Sequence, residues 1–182
     1  MEVLETSIND VKLIKPTLYG DKRGFFFETF RHDWFQKNVC DVTFIQDNHS
    51  KSSKGILRGL HYQINNPQGK LVRVISGEVY DVAVDMRRSS STFGQSFGTY
   101  LSSSNHHQLW VPAGFAHGFY VLSEFAEFVY KCTDYYSPEF ERTLIWSDEH
   151  INVDWPLLNN TSPNLSNKDQ KGVLFKNAEY FE

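Results

Sequence analysis

Residues 70–86, KLVRVISGEVYDVAVDM, carry the pattern on which the reading of the fold turns. Two runs rich in β-branched residues flank Ser76-Gly77-Glu78, which predicts two strands joined as a hairpin. In the second run Val79, Asp81, Ala83 and Asp85 alternate with Tyr80, Val82, Val84 and Met86. A period of two predicts a strand with one apolar face.

Working outward, further strands are expected at Ser96–Ser102, Gln108–Val111, Gly118–Leu122 and Glu127–Thr133, separated by loops such as RRSSSTFGQ and PAGFAHG. Val11–Pro16 and Phe25–Phe30 read as extended, with Tyr19 to Gly24 as the loop between them, and His32–Asn38 as a short helix. No repeat is present. No GxGxxG follows a strand and no long helices alternate with the strands, which disfavours a doubly wound sheet. Many short strands and few helices predict an all-β antiparallel sandwich or barrel. At 182 residues the chain suits a single domain over 1–182, its tail from about 159 mostly loop and short helix.

Hydrophobic residues make up 40% and charged residues 22%, a globular balance; aromatics at 15% suit strands or a ring-lined site. The formal charge of −4 lacks the basic excess of a nucleic-acid surface. A phosphate-bearing small ligand stays open, since two or three local cations suffice for it. Cys40 and Cys132 form no CxxC pair, which favours a reducing compartment. The acidic start MEVLETSINDV has no apolar signal core, and no apolar run nears the roughly 20 residues of a membrane span. The expectation is a soluble cytoplasmic protein with no membrane and no nucleic-acid partner.

Barrels of this kind often hold a metal, and the seven histidines are its first candidate ligands. The metal-binding cupin pattern uses HxH on one strand, a nearby Glu and a later His; here Tyr62 and Gln63 follow His61, and only Glu78 and His117 match. Adjacent His106 and His107 would face opposite ways on a strand. No metal site is expected. His61, in LRGLHYQ, then has two readings: a hydrogen-bonded core histidine, the commoner case for such a residue alone, or a proton acceptor near neutral pH. Tyr130 shares a face with Phe128 and Cys132 and alone reads as strand packing. Asp169 in LSNKD reads as a solvated loop acid, and Arg23 in GDKRGFF and Lys70 in PQGKLVR as turn cations.

Taken together, GDKRGFFFETF at 20–30, FIQDNHSKSSKGILRGLHYQ at 44–63, PQGKLVRVISGEVYDVAVDMR at 67–87, QLWVPAGFAHGFYVLS at 108–123, YKCTDYYSPEFE at 130–141, and the stretch from IWSDEHINVDWP to LSNKD at 145–169 resemble the dTDP-4-dehydrorhamnose 3,5-epimerases. The resemblance runs in order over nearly the whole chain. It implies a cupin-like jelly-roll β-barrel with a few short helices, a homodimer, an active site inside the barrel and no cofactor. It implies inversion of carbons 3 and 5 of dTDP-4-dehydro-6-deoxy-D-glucose through enolates, for deoxysugar and polysaccharide (O-antigen or lipopolysaccharide) biosynthesis.

By matching motif, the resemblance makes His61 the base and Asp169 its orienting partner. Lys70 would stabilise the enolate oxygen and Tyr130 return a proton on the opposite face. Arg23, Glu28, Gln46, Asp47, Asn48, Arg58, His117, Tyr136, Glu141 and Lys168 are carried over as substrate-binding, the cations suiting a diphosphate. The rival readings are an epimerase of one carbon only, a ketoisomerase, a non-catalytic sugar-binding cupin and a metal-dependent cupin oxygenase.

Overall fold

The computed structural model describes residues 1–182. Its strands are β1 (Glu2–Leu4), β2 (Lys12–Lys15), β3 (Tyr19–Asp21), β4 (Gly24–Phe26), β5 (Gln46–Ser53), β6 (Leu57–Gln63) and β7 (Lys70–Ser76). They continue as β8 (Glu78–Asp85), β9 (Ser96–Ser102), β10 (Gln108–Val111), β11 (Phe115–Val121), β12 (Phe125–Cys132) and β13 (Glu141–Thr143). One helix, α1 (His32–Asn38), lies between β4 and β5; short 3₁₀ turns punctuate the tail.

A six-stranded sheet runs β1-β2-β10-β7-β12-β5 and a five-stranded sheet β13-β6-β11-β8-β9, with β3 and β4 as a separate hairpin. All strand pairings are antiparallel. The all-β jelly roll expected from the sequence is present, as two facing open sheets whose hydrogen-bonded ladders do not close into one barrel.

The hairpin reading of residues 70–86 is overturned. β7 pairs with β10 and β12, β8 pairs with β9 and β11, and the chain changes sheets between them. Gly77 makes the crossing at φ +82°, where a side-chain carbon would run into the Phe125 carbonyl and the Ser123 hydroxyl. The single apolar face of β8 is also corrected, because both faces are buried. Val79 and Ala83 join Val72, Val74, Leu109 and Phe128 in the core between the sheets. Val82, Val84 and Met86 join Leu57, Leu60 and Tyr120 beneath Leu144, Ile151, Trp155 and Phe175 of the C-terminal segments. The tail is thus a third layer, and each fully buried aliphatic or Phe side chain in it contributes roughly 1.5–3 kcal/mol.

On the outer face of the six-stranded sheet, Leu71 and Trp110 pack against Phe35 of α1. Asp33 in the first turn and Lys37 in the last complement the helix dipole. The predicted loop at 19–24 contributes residues to β3 and β4, with Tyr19 opposite Phe26. His106 has φ +56° and ends a turn rather than sitting in a strand. No helix is long and apolar enough to cross a membrane.

Candidate active site

Between the sheets a cavity of about 310 Å³ opens to solvent. The five-stranded sheet contributes Arg58 and His61 from β6, His117 and Phe119 from β11 and Glu141 from β13. The six-stranded sheet contributes Lys70 from β7, Gln46, Asn48 and Ser50 from β5, and Phe128 and Tyr130 from β12. Tyr136 and Lys168 complete the rim.

Arg58 and His61 are an odd number of residues apart, which on a regular strand would place them on opposite faces. The β6–β11 register shifts here: His117 lies opposite His61, but Phe119 lies opposite Arg58. This bulge lets both side chains line the cavity. Gly59, at φ +121°, makes it possible, since a Cβ there would lie 2.5 Å from Gly118 Cα and 2.7 Å from the His117 carbonyl oxygen.

His61 Nε2 lies 2.5 Å from Asp169 Oδ1. Asp169 is 2% exposed, which overturns the reading of a solvated loop acid; the tail folds back against β6 and buries it. Burial pushes the His61 pKa down from its ordinary value, opposed by the hydrogen bond to Asp169. Asp169 stays below the usual carboxylate range: burial works against it, but the bonds from His61 and Ser166 prevail. With the proton on Nε2, the imidazole donates Nε2–H to the Asp169 carboxylate. In that tautomer Nδ1 is the nitrogen able to accept a proton.

A second histidine–carboxylate pair stands beside the first. His117 Nε2 lies 2.9 Å from Asp81 Oδ1, and Asp81 is wholly buried with Oδ2 unpartnered. The two histidines, opposite one another in the β6–β11 ladder, are thus each committed to a separate carboxylate.

Across the cavity, burial lowers the Lys70 pKa and raises that of Tyr130 to about 12. Tyr130 consequently keeps its proton at neutral pH and is able to donate it. Lys70 is near Cys132, its cross-strand partner in the β7–β12 ladder, whose thiol accepts a weak bond from Asn48 Nδ2 at 3.5 Å. At the mouth Glu141 joins two rim residues, accepting from Tyr136 Oη at 3.0 Å and from Lys168 Nζ at 2.8 Å.

The chain brings together His61, Asp169, Lys70, Tyr130, Gln46, Asn48, Arg58, His117, Tyr136, Glu141 and Lys168. It does not bring Arg23, Glu28 or Asp47 to them. Strand alternation explains Asp47: Gln46, Asn48 and Ser50 point inward, so Asp47 turns out and pairs with Lys131 at 3.0 Å. Arg23 is on the exposed β3–β4 hairpin, paired with Asp21 at 2.5 Å, and Glu28 is exposed just beyond it. Sequence reasoning passed over Ser50, Gln68, Phe119 and Phe128 of the lining, and Asp81 behind it. Ser50 was accessible from the alternation of QDNHS, and Asp81 as an acid within a β-branched run.

A two-sheet jelly roll holding a histidine–carboxylate pair opposite a lysine and a tyrosine defines a class, the cupin-like epimerases. Comparison with known proteins places the chain within it: a family profile for dTDP-4-dehydrorhamnose 3,5-epimerase matches residues 5–177, and the chain belongs to that family. It is 54% identical to the dTDP-4-dehydrorhamnose 3,5-epimerase of Pseudomonas aeruginosa, over 100% of this chain and 99% of that protein. It is 59% identical to that of Neisseria gonorrhoeae over 98% of this chain, but spans only 54% of that relative's length. Its fold matches, with a TM-score of 0.95 and 49% identity over 98% of this chain and 94% of the other, the crystal structure of a dTDP-6-deoxy-D-glucose-3,5-epimerase from Legionella pneumophila in complex with dTDP-4-keto-L-rhamnose.

Proposed function

We propose that this chain is an isomerase that epimerises dTDP-4-dehydro-6-deoxy-D-glucose at carbons 3 and 5, giving dTDP-4-dehydro-L-rhamnose for polysaccharide biosynthesis. The observation that carries the reading is the placement of His61 and Tyr130 on opposing sheets across one cavity, with Lys70 beside the tyrosine. The ketone at carbon 4 acidifies both neighbouring C–H bonds, because loss of either proton leaves an enolate. Inversion then needs a base on one face of the ring, a donor on the other and a positive charge at the oxygen.

In this reading His61 Nδ1 takes the proton, and Asp169 holds the ring and stabilises the imidazolium that forms. Lys70 takes part in none of the chain's ion pairs, so its charge is available to the developing oxyanion. Tyr130 returns a proton from the far side. Arg58 and Lys168 receive the diphosphate, and Tyr136 flanks the base at the rim. No metal or cofactor enters the scheme, since the ketone itself is the electron sink. The whole of 1–182 acts as one catalytic domain, because the tail supplies Asp169.

The chain acts in the cytoplasm as a homodimer. Tyr19, Phe25 and Phe26 on the β3–β4 hairpin are 65%, 61% and 68% exposed, an aromatic tip fit to dock on a second copy. Docked there, Arg23 and Glu28 reach the second copy's cavity. Sedimentation tests the dimer, and mixing inactive Arg23→Ala and His61→Ala chains is expected to restore activity.

Turnover of dTDP-4-keto-6-deoxyglucose in deuterium oxide tests the reaction. Label is expected at both carbon 3 and carbon 5; label at one carbon, or a 3-keto product, overturns the assignment.

A further inference from the structure

The geometry points to Ser166 as a positioning residue that holds the Asp169 carboxylate in line with His61. The inference rests on the reading of His61 as the base. Asp169 has two oxygens and two side-chain partners: Oδ1 faces His61 Nε2 at 2.5 Å, and Oδ2 accepts from Ser166 Oγ at 2.8 Å. With one oxygen on each, the carboxylate plane is fixed at both ends. Without the hydroxyl, Oδ2 has no protein donor, the group is free to rotate about its Cβ–Cγ bond, and the imidazole loses its fixed orientation.

The local fold explains the placement. Asn164 joins Ile56 in a parallel bridge at the edge of β6, and the chain then tightens into the 3₁₀ turn Asp169–Lys171. Ser166 Oγ accepts Asp169 N–H at 3.1 Å, and its carbonyl accepts Gln170 N–H at 3.0 Å. One hydroxyl thus both closes the turn and donates to the side chain that the turn presents. The charged groups facing His61 are Asp169 and Lys168 from the tail, Lys70 from β7 and Glu141 from β13. Ser166 is the uncharged member of this shell that sets how strongly the carboxylate pulls on the imidazole.

Because the hydroxyl also caps the turn, the test must separate orientation from folding. Ser166→Thr keeps the hydroxyl and Ser166→Val replaces it with a methyl of similar size. The valine variant is expected to lose roughly ten-fold in kcat relative to threonine, the scale of one hydrogen bond to a charged group, with KM unchanged. A carboxylate with one donor fewer is more basic, and in the orientations that still face the ring it holds the imidazolium more tightly. The acid limb of the kcat/KM profile is therefore expected at higher pH in the valine variant than in the threonine one. In an Asp169→Ala background, which removes the acceptor, the Thr–Val difference is expected to vanish.

Equal kcat and equal acid limbs for the two variants overturn the proposal. So does a Thr–Val difference that persists undiminished in the Asp169→Ala background, since that is the signature of the turn alone. Solvent exchange in His61→Ala is the separate control. Retained exchange there sinks the base assignment itself, whereas lost exchange with matched Thr and Val variants sinks only the role of Ser166.

Discussion

Arg58 and His61, three residues apart on β6, face the same cavity because the strand bulges at Gly59. The bulge presses the Gly59 and Gly118 backbones together, leaving no room for a side chain at position 59. Gly59→Ala combines a positive φ with a backbone collision, and is expected to cost about 2 kcal/mol or more. It should also lower kcat more than Ser50→Ala does, since it displaces base and cation together. Thermal unfolding and steady-state rates check both; wild-type values would show that the bulge does not position the site.

The pH profile follows from the directions of the shifts. The base must be neutral, and burial lowers the His61 pKa from its ordinary 6.5, so activity should be lost only as pH falls below that value. On the alkaline side Tyr130, at about 12, stays protonated while Lys70 titrates below its ordinary 10.5. The alkaline decline of kcat/KM therefore belongs to Lys70. It should disappear in Lys70→Arg, whatever that variant's absolute rate, and a decline that survives would assign it to another group.

In the proposed mechanism Lys70 and Tyr130 serve different steps, proton removal and proton return, which isotope exchange can separate. Lys70→Met should lower the rate of solvent exchange by about 10²–10³, the scale of one lost donor to a developing oxyanion. Tyr130→Phe should still exchange protons but form little inverted product. Equal losses of exchange and turnover in Tyr130→Phe would contradict its role as the opposing donor.

Away from the site, Asp85 ties the N-terminal region to the five-stranded sheet through Arg87. It is wholly buried and accepts from Arg87 at 2.7 and 2.9 Å, Ser90 at 2.6 Å and Thr92 at 2.7 Å, while Arg87 also pairs with Asp10 at 2.8 Å. Burial opposes the charge, but these donors bring the Asp85 pKa down to about 2. A depressed pKa stabilises the fold above the ordinary value of 3.8, and that stability fades as pH falls through about 2. Asp85→Asn should lose about 2 kcal/mol at neutral pH and flatten the acid-unfolding curve. Urea titrations at pH 7 and pH 3 measure the difference.

Much of the architecture was legible because its signals are local. The strands at 96–102 and 108–111 and the helix at 32–38 fall where the period and composition put them. Ser76-Gly77-Glu78 misled because a tight turn within one sheet and a crossing between two use the same residues; only the partners of β7 and β8 distinguish them. Asp169 looked solvated for a related reason. Its burial is decided by a tail packing on β6, a contact that no window around LSNKD contains. The shared orientation of Arg58 and His61 was hidden too, since a one-residue bulge reverses what strand alternation predicts. Asp47 went the other way: simple alternation within QDN sends it outward, and motif matching passed over that parity.

The crossing at Gly77 also has a consequence in time. A hairpin closes as soon as its second strand exists, as β8 can with β9, but β7 waits for β10 and β12, and the other edge of β8 waits for β11. β5 finds its partner only when β12 has been made. Such non-local pairing belongs to the slow class of folding, milliseconds to seconds, and strand edges stay open while the chain waits. Recovery of active protein is then governed by how fast chains are produced relative to how fast they close, so slower synthesis at lower temperature should raise the folded yield without any change in the native state.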